Sequence, residues 1–235
     1  MTAFLSGTNM VGGYGVVDIL RGCTIEVESG QVAVIVGPNG AGKSTGMKAL
    51  FGMLKLRQGT VTLAGEDITA LTPQARVAKG MSFVPQTDNV FASMTVEENL
   101  EMGGLTQREG VQDTMAQIYD LFPVLKEKRY QPAGQLSGGQ RQQVAVGRAM
   151  MTRPKVLMLD EPTAGVSPVV MDDLFDRIID IARSGVAVLM VEQNARQALQ
   201  IADRGYVLVQ GENRYSGSGP ELLRQEDVRK SFLGG

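Results

Sequence analysis

The residues best placed to do chemistry lie in four short stretches: GPNGAGKST at Gly37–Thr45, VPQ at Val84–Gln86, LSGGQ at Leu136–Gln140 and VLMLDEP at Val156–Pro162. The first, Gly37-Pro38-Asn39-Gly40-Ala41-Gly42-Lys43-Ser44-Thr45, fits G-x-x-x-x-G-K-[ST], a phosphate-binding loop. Its glycines leave backbone N–H groups bare and able to curl around phosphate oxygens. In the fourth, an acidic pair, Asp160-Glu161, ends an apolar run.

These stretches need a scaffold, and the flanking sequence supplies one. Gln31–Val36 reads as a buried strand before the loop and Lys43–Phe51 as a helix after it, the strand–loop–helix context that makes the motif credible. The helix N-terminus adds partial positive charge beneath the phosphates. Met81–Val84, Val156–Leu159 and Val186–Val191 are further apolar runs separated by helical patterns, so the core is read as a parallel sheet. Residues 1 to about 30 and about 59–68 are read as a small antiparallel lobe, with Thr24–Glu28 and Thr60–Ala64 as strands and turns at Ser29-Gly30 and Gly65-Glu66-Asp67. A helical lobe is expected over about 87–151. It includes Thr95–Met102, capped by Thr95 with Glu98 three residues on, then Val111–Leu121 and a helix opened by LSGGQ. Pro220–Leu233 reads as one or two short amphipathic helices. The expected fold class is α/β, in one domain over 1–235.

Each signal has a plainer reading. The loop alone says nucleotide binder, but a GTPase would also carry N-K-x-D, which is absent. Ser137 could simply cap a helix, Glu161 could be a solvated strand end, and Tyr14 in its Gly-rich loop could merely pack. Met53, Met102, Met115 and Met190 read as core filler, with Met94 beside Phe91 as the exception, an adaptable apolar contact for docking. The Asp172-Asp173, Glu97-Glu98 and Lys126–Arg129 clusters read as solvated helix faces, and Cys23 as an inert buried thiol.

With all four motifs in order, the chain resembles the ATP-binding-cassette ATPases along its whole length. The resemblance implies two cassettes sandwiching two ATP molecules. Lys43 would contact the β- and γ-phosphates and Ser44 would hold Mg²⁺. Asp160 would support that metal, and Glu161 would polarise the attacking water. Gln86 would sense metal and nucleotide. Ser137, Gly138, Gly139 and Gln140 would face the ATP of the opposite subunit, Tyr14 would meet adenine, and the remaining loop residues would cradle phosphate. RQQVAVGRAMMTRPKVLMLDEPTAGVSP, VLMVEQNARQALQIADRGYVLVQG and MTVEENLEMGG look like the second ATPase subunit of branched-chain amino-acid uptake systems, whose near relatives import urea or short amides. The implied partners are membrane permease subunits, docking a short helix beside Gln86 at Asn89–Met94, and a second cassette.

Two positions depart from the wider pattern. The switch histidine is Gln193, and the loop after Glu161 reads Ala164-Gly165-Val166-Ser167, with serine where an aspartate is usual. Both favour a heterodimer in which this site turns over more slowly than a histidine-bearing partner site; the plainer reading is that Gln193 caps the helix beginning near Asn194 and the pair is a homodimer. The other readings are a cassette that powers lipid or polysaccharide export, and a soluble cassette that remodels nucleic-acid or ribosome complexes. A DNA-repair ATPase of this kind would insert a coiled coil, whereas the gap from loop to LSGGQ is about ninety residues with no sustained heptads.

Bulk properties agree. The net charge of −2 suggests no polyanion partner such as DNA. One cysteine and no histidine leave no disulfide and no common zinc site. No secretory signal or spanning run is visible, so the expected location is the cytoplasmic face of the membrane, held there by a partner.

Overall fold

A computed structural model describes residues 3–105, 107 and 109–232; Leu233, the end of the expected C-terminal helices, lies outside them. Two sheets organise the chain. The first is antiparallel, in the order β2-β1-β4-β5, from β1 (Leu5–Tyr14), β2 (Val17–Val27), β4 (Gln58–Leu63) and β5 (Glu66–Asp67). The expected turn at Gly65-Glu66-Asp67 is shorter than the sequence suggested. Ala64 and Gly65 take left-handed φ values of 50° and 81°, which closes a two-residue hairpin and frees Glu66 and Asp67 to pair with β4.

The second sheet has six strands, in the order β10-β9-β3-β8-β7-β6. Its members are β3 (Val32–Val36), β6 (Met81–Val84), β7 (Val156–Asp160), β8 (Ala187–Val191), β9 (Arg204–Val209) and β10 (Glu212–Gly217). Four were legible as apolar runs. The parallel strand β9 and the antiparallel edge strand β10 were not; in β10 half-buried and exposed residues alternate, none is buried, and the composition is polar. In β3, β7 and β8 every residue is buried, and successive side chains enter opposite layers. Val32, Val34 and Val36 join one core, with the helices of the 96–150 region and α7 (Pro168–Arg183). Ala33 and Ile35 join the other, beneath α1 (Lys43–Phe51) and the antiparallel sheet.

The remaining helices are α2 (Pro73–Ala78), α3 (Val96–Gly104), α4 (Val111–Leu121), α5 (Pro123–Glu127), α6 (Gly138–Met150), α8 (Ala195–Gln200), α9 (Gly219–Arg224) and α10 (Glu226–Phe232). Capping boxes start α3 (Thr95 with Glu98) and α6 (Ser137 with Gln140). At the far end of α1, the fully buried Arg76 guanidinium donates to the Ala49 and Leu50 carbonyls, which satisfies groups a helix C-terminus leaves orphaned. The methionine expectation divides. Met115 and Met190 are core, whereas Met53 and Met102 are exposed. Asp173 is also more than a solvated face, since it accepts a hydrogen bond from Gln143 at 2.9 Å and so ties α7 to α6. Cys23 is buried, and burial pushes its thiol pKa up to about 12.

Candidate functional site

The neighbouring strands β3, β8, β7 and β6 run parallel, so their C-terminal ends fall on one edge. In open α/β sheets that edge carries the ligand. The phosphate loop follows β3, Gln193 follows β8, Asp160 and Glu161 end and follow β7, and Gln86 follows β6.

Within the loop, Gly37, Gly40 and Gly42 have φ of 147°, 79° and 97°. A Cβ on Gly37 would collide with the Leu208 carbonyl, and one on Gly42 would press on Ile19 and Leu20 at 3.4 Å. The second contact seats β2, and hence the β1–β2 hairpin, beside the loop. Tyr14 is half-exposed at the end of that hairpin. Arg57 pins the hairpin tip, meeting the Asp18 carboxylate and the Gly15 carbonyl.

Lys43 is buried, and its Nζ donates to the Gly37 and Pro38 carbonyls at 2.9 and 3.2 Å. Burial lowers its pKa, opposed by the nearby Glu161 and Asp160 carboxylates. The Ser44 hydroxyl donates to Asp160 Oδ1 at 2.9 Å. Burial raises the Asp160 pKa, opposed by that hydrogen bond and by Lys48 and Lys43. Gln86 Nε2 donates to Glu161 Oε2 at 2.7 Å. Glu161 itself holds φ +49°, a left-handed conformation uncommon for a residue with a Cβ, fixed by its N–H donating to the Val191 carbonyl at 3.0 Å.

The donor set suits a nucleotide phosphate with a hard cation: bare loop amides, one ammonium, one hydroxyl, one carboxylate and one amide. Among the described residues no group of three or more His, Cys, Asp or Glu could hold a metal alone. That is compatible with Mg²⁺, which takes one or two protein oxygens and completes its shell with phosphate and water.

Ser137 and Gly138 are exposed at the start of α6, while Gly139 is buried against Val170 of α7. The plainer capping reading is also correct, because Ser137 Oγ accepts from the Gln140 N–H at 3.3 Å and Gln140 Oε1 accepts from the Ser137 N–H at 3.1 Å. Among the described residues, no hydrogen bond joins Ser137–Gln140 to the phosphate loop. Gln193 is exposed just beyond β8. It does not cap α8 with its side chain; Asn194 is the N-cap residue and Gln193 contributes only its carbonyl, to Ala195 N–H at 2.9 Å.

Below this edge, Phe83, Val84, Pro85, Phe91, Met102 and Arg148 line a groove. Phe91 is exposed, and the Arg148 guanidinium lies 4.8 Å from its ring centroid. Buried Asn99 holds the 89–94 segment by accepting from Phe91 N–H at 2.8 Å and donating to its carbonyl at 3.0 Å. Met94 is not among the lining residues; its carbonyl is taken by Asn99 and by Ala133 N–H.

Sequence reasoning passed over Glu192 and Thr163, whose side chains meet in the interior behind Glu161. The available signal was a carboxylate directly after a strand whose residues are all apolar.

Comparisons agree with this geometry. The profile described as ABC transporter matches residues 20–164. The chain is 42% identical over 94% of its length to the high-affinity branched-chain amino acid transport ATP-binding protein BraG of Pseudomonas aeruginosa, covering 96% of that protein. It is also 42% identical, over 94% of its length and 95% of the relative, to the probable branched-chain amino acid transport ATP-binding protein LivF of Archaeoglobus fulgidus. At 32% identity it covers 98% of LptB, the lipopolysaccharide export system ATP-binding protein of Escherichia coli K12, over 99% of its own length. The ADP conformation of MJ1267, an ATP-binding cassette of an ABC transporter, superposes with a TM-score of 0.89 at 30% identity, with both chains fully covered. The phosphate loop, the acidic strand end and the LSGGQ helix thus sit on a known framework, and the chain belongs to the nucleotide-binding ATPase subunits of the ABC transporters.

Proposed function

We propose that this chain powers a membrane importer for branched-chain amino acids or related small solutes. In this reading it lies on the cytoplasmic face of the membrane, bound to permease subunits and to a second cassette. The observation that carries the reading is the alignment of three parallel strand ends, those of β3, β7 and β6, which brings Lys43, Ser44, Asp160, Glu161 and Gln86 to one edge, with Ser44 bonded to Asp160 and Gln86 to Glu161. The likeness to BraG and LivF supports the solute class. None of the described helices is long and apolar enough to cross a membrane, so a permease is needed for transport.

The residues divide the work. Loop amides and Lys43 bind and orient the β- and γ-phosphates, and Tyr14 packs against adenine. Ser44 and Asp160 hold the metal, whose contribution when bound is to offset phosphate charge. Glu161 orients the attacking water and accepts its proton. Gln86 reports metal and nucleotide to the groove at Phe91, where the permease docks. Exposed Ser137 and Gly138 complete the site of the opposite subunit. Gln193 can donate a hydrogen bond to the γ-phosphate but cannot become cationic, so this site is proposed to turn over more slowly than a histidine-bearing partner site.

The likeness to LptB favours the export reading. Co-purification from membranes followed by reconstitution separates the two. Import predicts a permease that drives ATP-dependent uptake of leucine, isoleucine or valine into vesicles. Recovery of a lipid-extracting permease without uptake would replace import with export. To test the asymmetry, the catalytic glutamate of each cassette is inactivated in turn. Faster turnover at the Gln193 site, or transport without a second cassette, would defeat it.

A further inference from the structure

Glu192 directly follows β8, one residue before Gln193, and is 2% exposed. A carboxylate buried that deeply requires partners, and three donors converge on it. Oε1 accepts from the Thr163 backbone N–H at 3.0 Å and from its hydroxyl at 2.8 Å, while Oε2 accepts from the Gln193 N–H at 3.2 Å. Two acceptor oxygens with no proton to donate match three converging donors; an amide would turn its own N–H groups toward one of them.

Thr163 is also buried and lies two residues past Glu161, in the turn that runs on through Ala164 to Ser167. That turn reaches the signature segment, since the Gly165 carbonyl lies 3.7 Å from where a Cβ on Gly138 would stand, the sole neighbour within 4 Å. One side chain therefore spans the turn after β8 and the turn after β7, and the latter lies beside Gly138, the glycine this chain presents outward. We propose that Glu192 is a positioning residue that fixes Gln193 relative to the 162–167 turn, so that the state of one nucleotide site is passed to the Ser137–Gly139 surface facing the other. The proposal rests on the two-site sandwich described under Proposed function.

The test compares full-length wild type with Glu192→Gln and Thr163→Val by amide hydrogen exchange, nucleotide binding, and phosphate release with Mg-ATP. For Glu192→Gln we expect nucleotide Kd within about twofold of wild type and kcat down by about tenfold or more, since small misplacements of reacting groups carry costs of that order. Exchange should rise at Thr163–Ser167, Gln193 and Gly138, while β3, β7 and β8 stay protected. Thr163→Val keeps the backbone N–H and loses the hydroxyl, so it should show the same pattern more weakly. The double variant should be no worse than Glu192→Gln, the non-additivity expected of groups in one contact. Unchanged kcat overturns the proposal, as does loss of protection spreading through the core strands, which marks a fold staple. Absence of turnover in wild type with its partner would instead count against the sandwich. The exchange pattern of the isolated chain then decides the Glu192 link by itself: confined to the two turns and Gly138 it supports the link, and any other distribution removes it.

Discussion

Gln86 Nε2 and Glu161 Oε2 are hydrogen-bonded at 2.7 Å, joining the residue that follows β6 to the one that follows β7. The bond sets the carboxylate's direction and couples it to the segment leading into the Phe91 groove. A change at either end is therefore expected at the other.

Glu161→Gln is expected to bind ATP with near wild-type affinity and to lose about 10²–10⁴-fold in turnover, the usual cost of removing a catalytic base. Lys43→Ala is expected to weaken nucleotide binding itself. Equilibrium binding and phosphate release in the assembled transporter separate the two, and near wild-type turnover by Glu161→Gln would remove Glu161 from the base role.

Gln193→His tests the switch position. Wild type has no histidine anywhere, so no imidazole contributes to its rate profile between about pH 6 and 8. The variant is expected to gain an inflection near the ordinary imidazole value of about 6.5 and a several-fold higher kcat, read from steady-state rates across that range. A profile that matches wild type would place residue 193 outside contact with the reacting phosphate.

The groove prediction differs between two methionines that look alike in sequence. Met102→Asp puts a charge in the groove and is expected to abolish permease co-purification and uptake while leaving the melting temperature near wild type, because Met102 is exposed. Met94→Asp is expected to retain both, because Met94 does not line the groove. Equal loss in the two variants would move the docking surface toward Met94.

Glu192 carries a pH dependence of stability. Burial raises its pKa, the bonds from Thr163 and Gln193 oppose that shift, and Glu161 adds a smaller push upward. A carboxylate whose folded pKa lies above its unfolded value binds more protons folded than unfolded in the window between the two. Its stability cost is thus full above the folded pKa and falls away as pH drops through that window. Denaturant unfolding at about pH 7 and about pH 5 should show wild type gaining on Glu192→Gln as pH falls. A difference that stays constant, or moves the other way, would contradict the raised pKa.

Much of this architecture could be read from one sequence because its signals are local. Val32–Val36 is uninterrupted and apolar, so it had to be buried on both faces, and Gly37–Thr45 declares its own geometry through glycine spacing. Thr95 with Glu98 starts α3 by a rule that spans three residues. What escaped was non-local. Residues of β10 become a strand only by pairing with β9. Glu192 and Thr163 are 29 positions apart, and only the adjacency of β7 and β8 brings them into contact. Met94 and Met102 differ in placement: Met102 lines the groove, whereas the Met94 carbonyl is held by Asn99 and Ala133, which composition does not encode.

The left-handed backbone at Glu161 has a consequence for how this protein responds to selection. Glycine would occupy φ +49° without the steric cost that a residue with a Cβ bears, a relief of about 1 kcal/mol. Glycine would also delete the carboxylate proposed to polarise the attacking water. Directed evolution that scores only heat resistance or soluble yield is therefore drawn toward a chain that folds better and does nothing, and the native residue marks where working enzyme has been kept at the expense of a more comfortable fold.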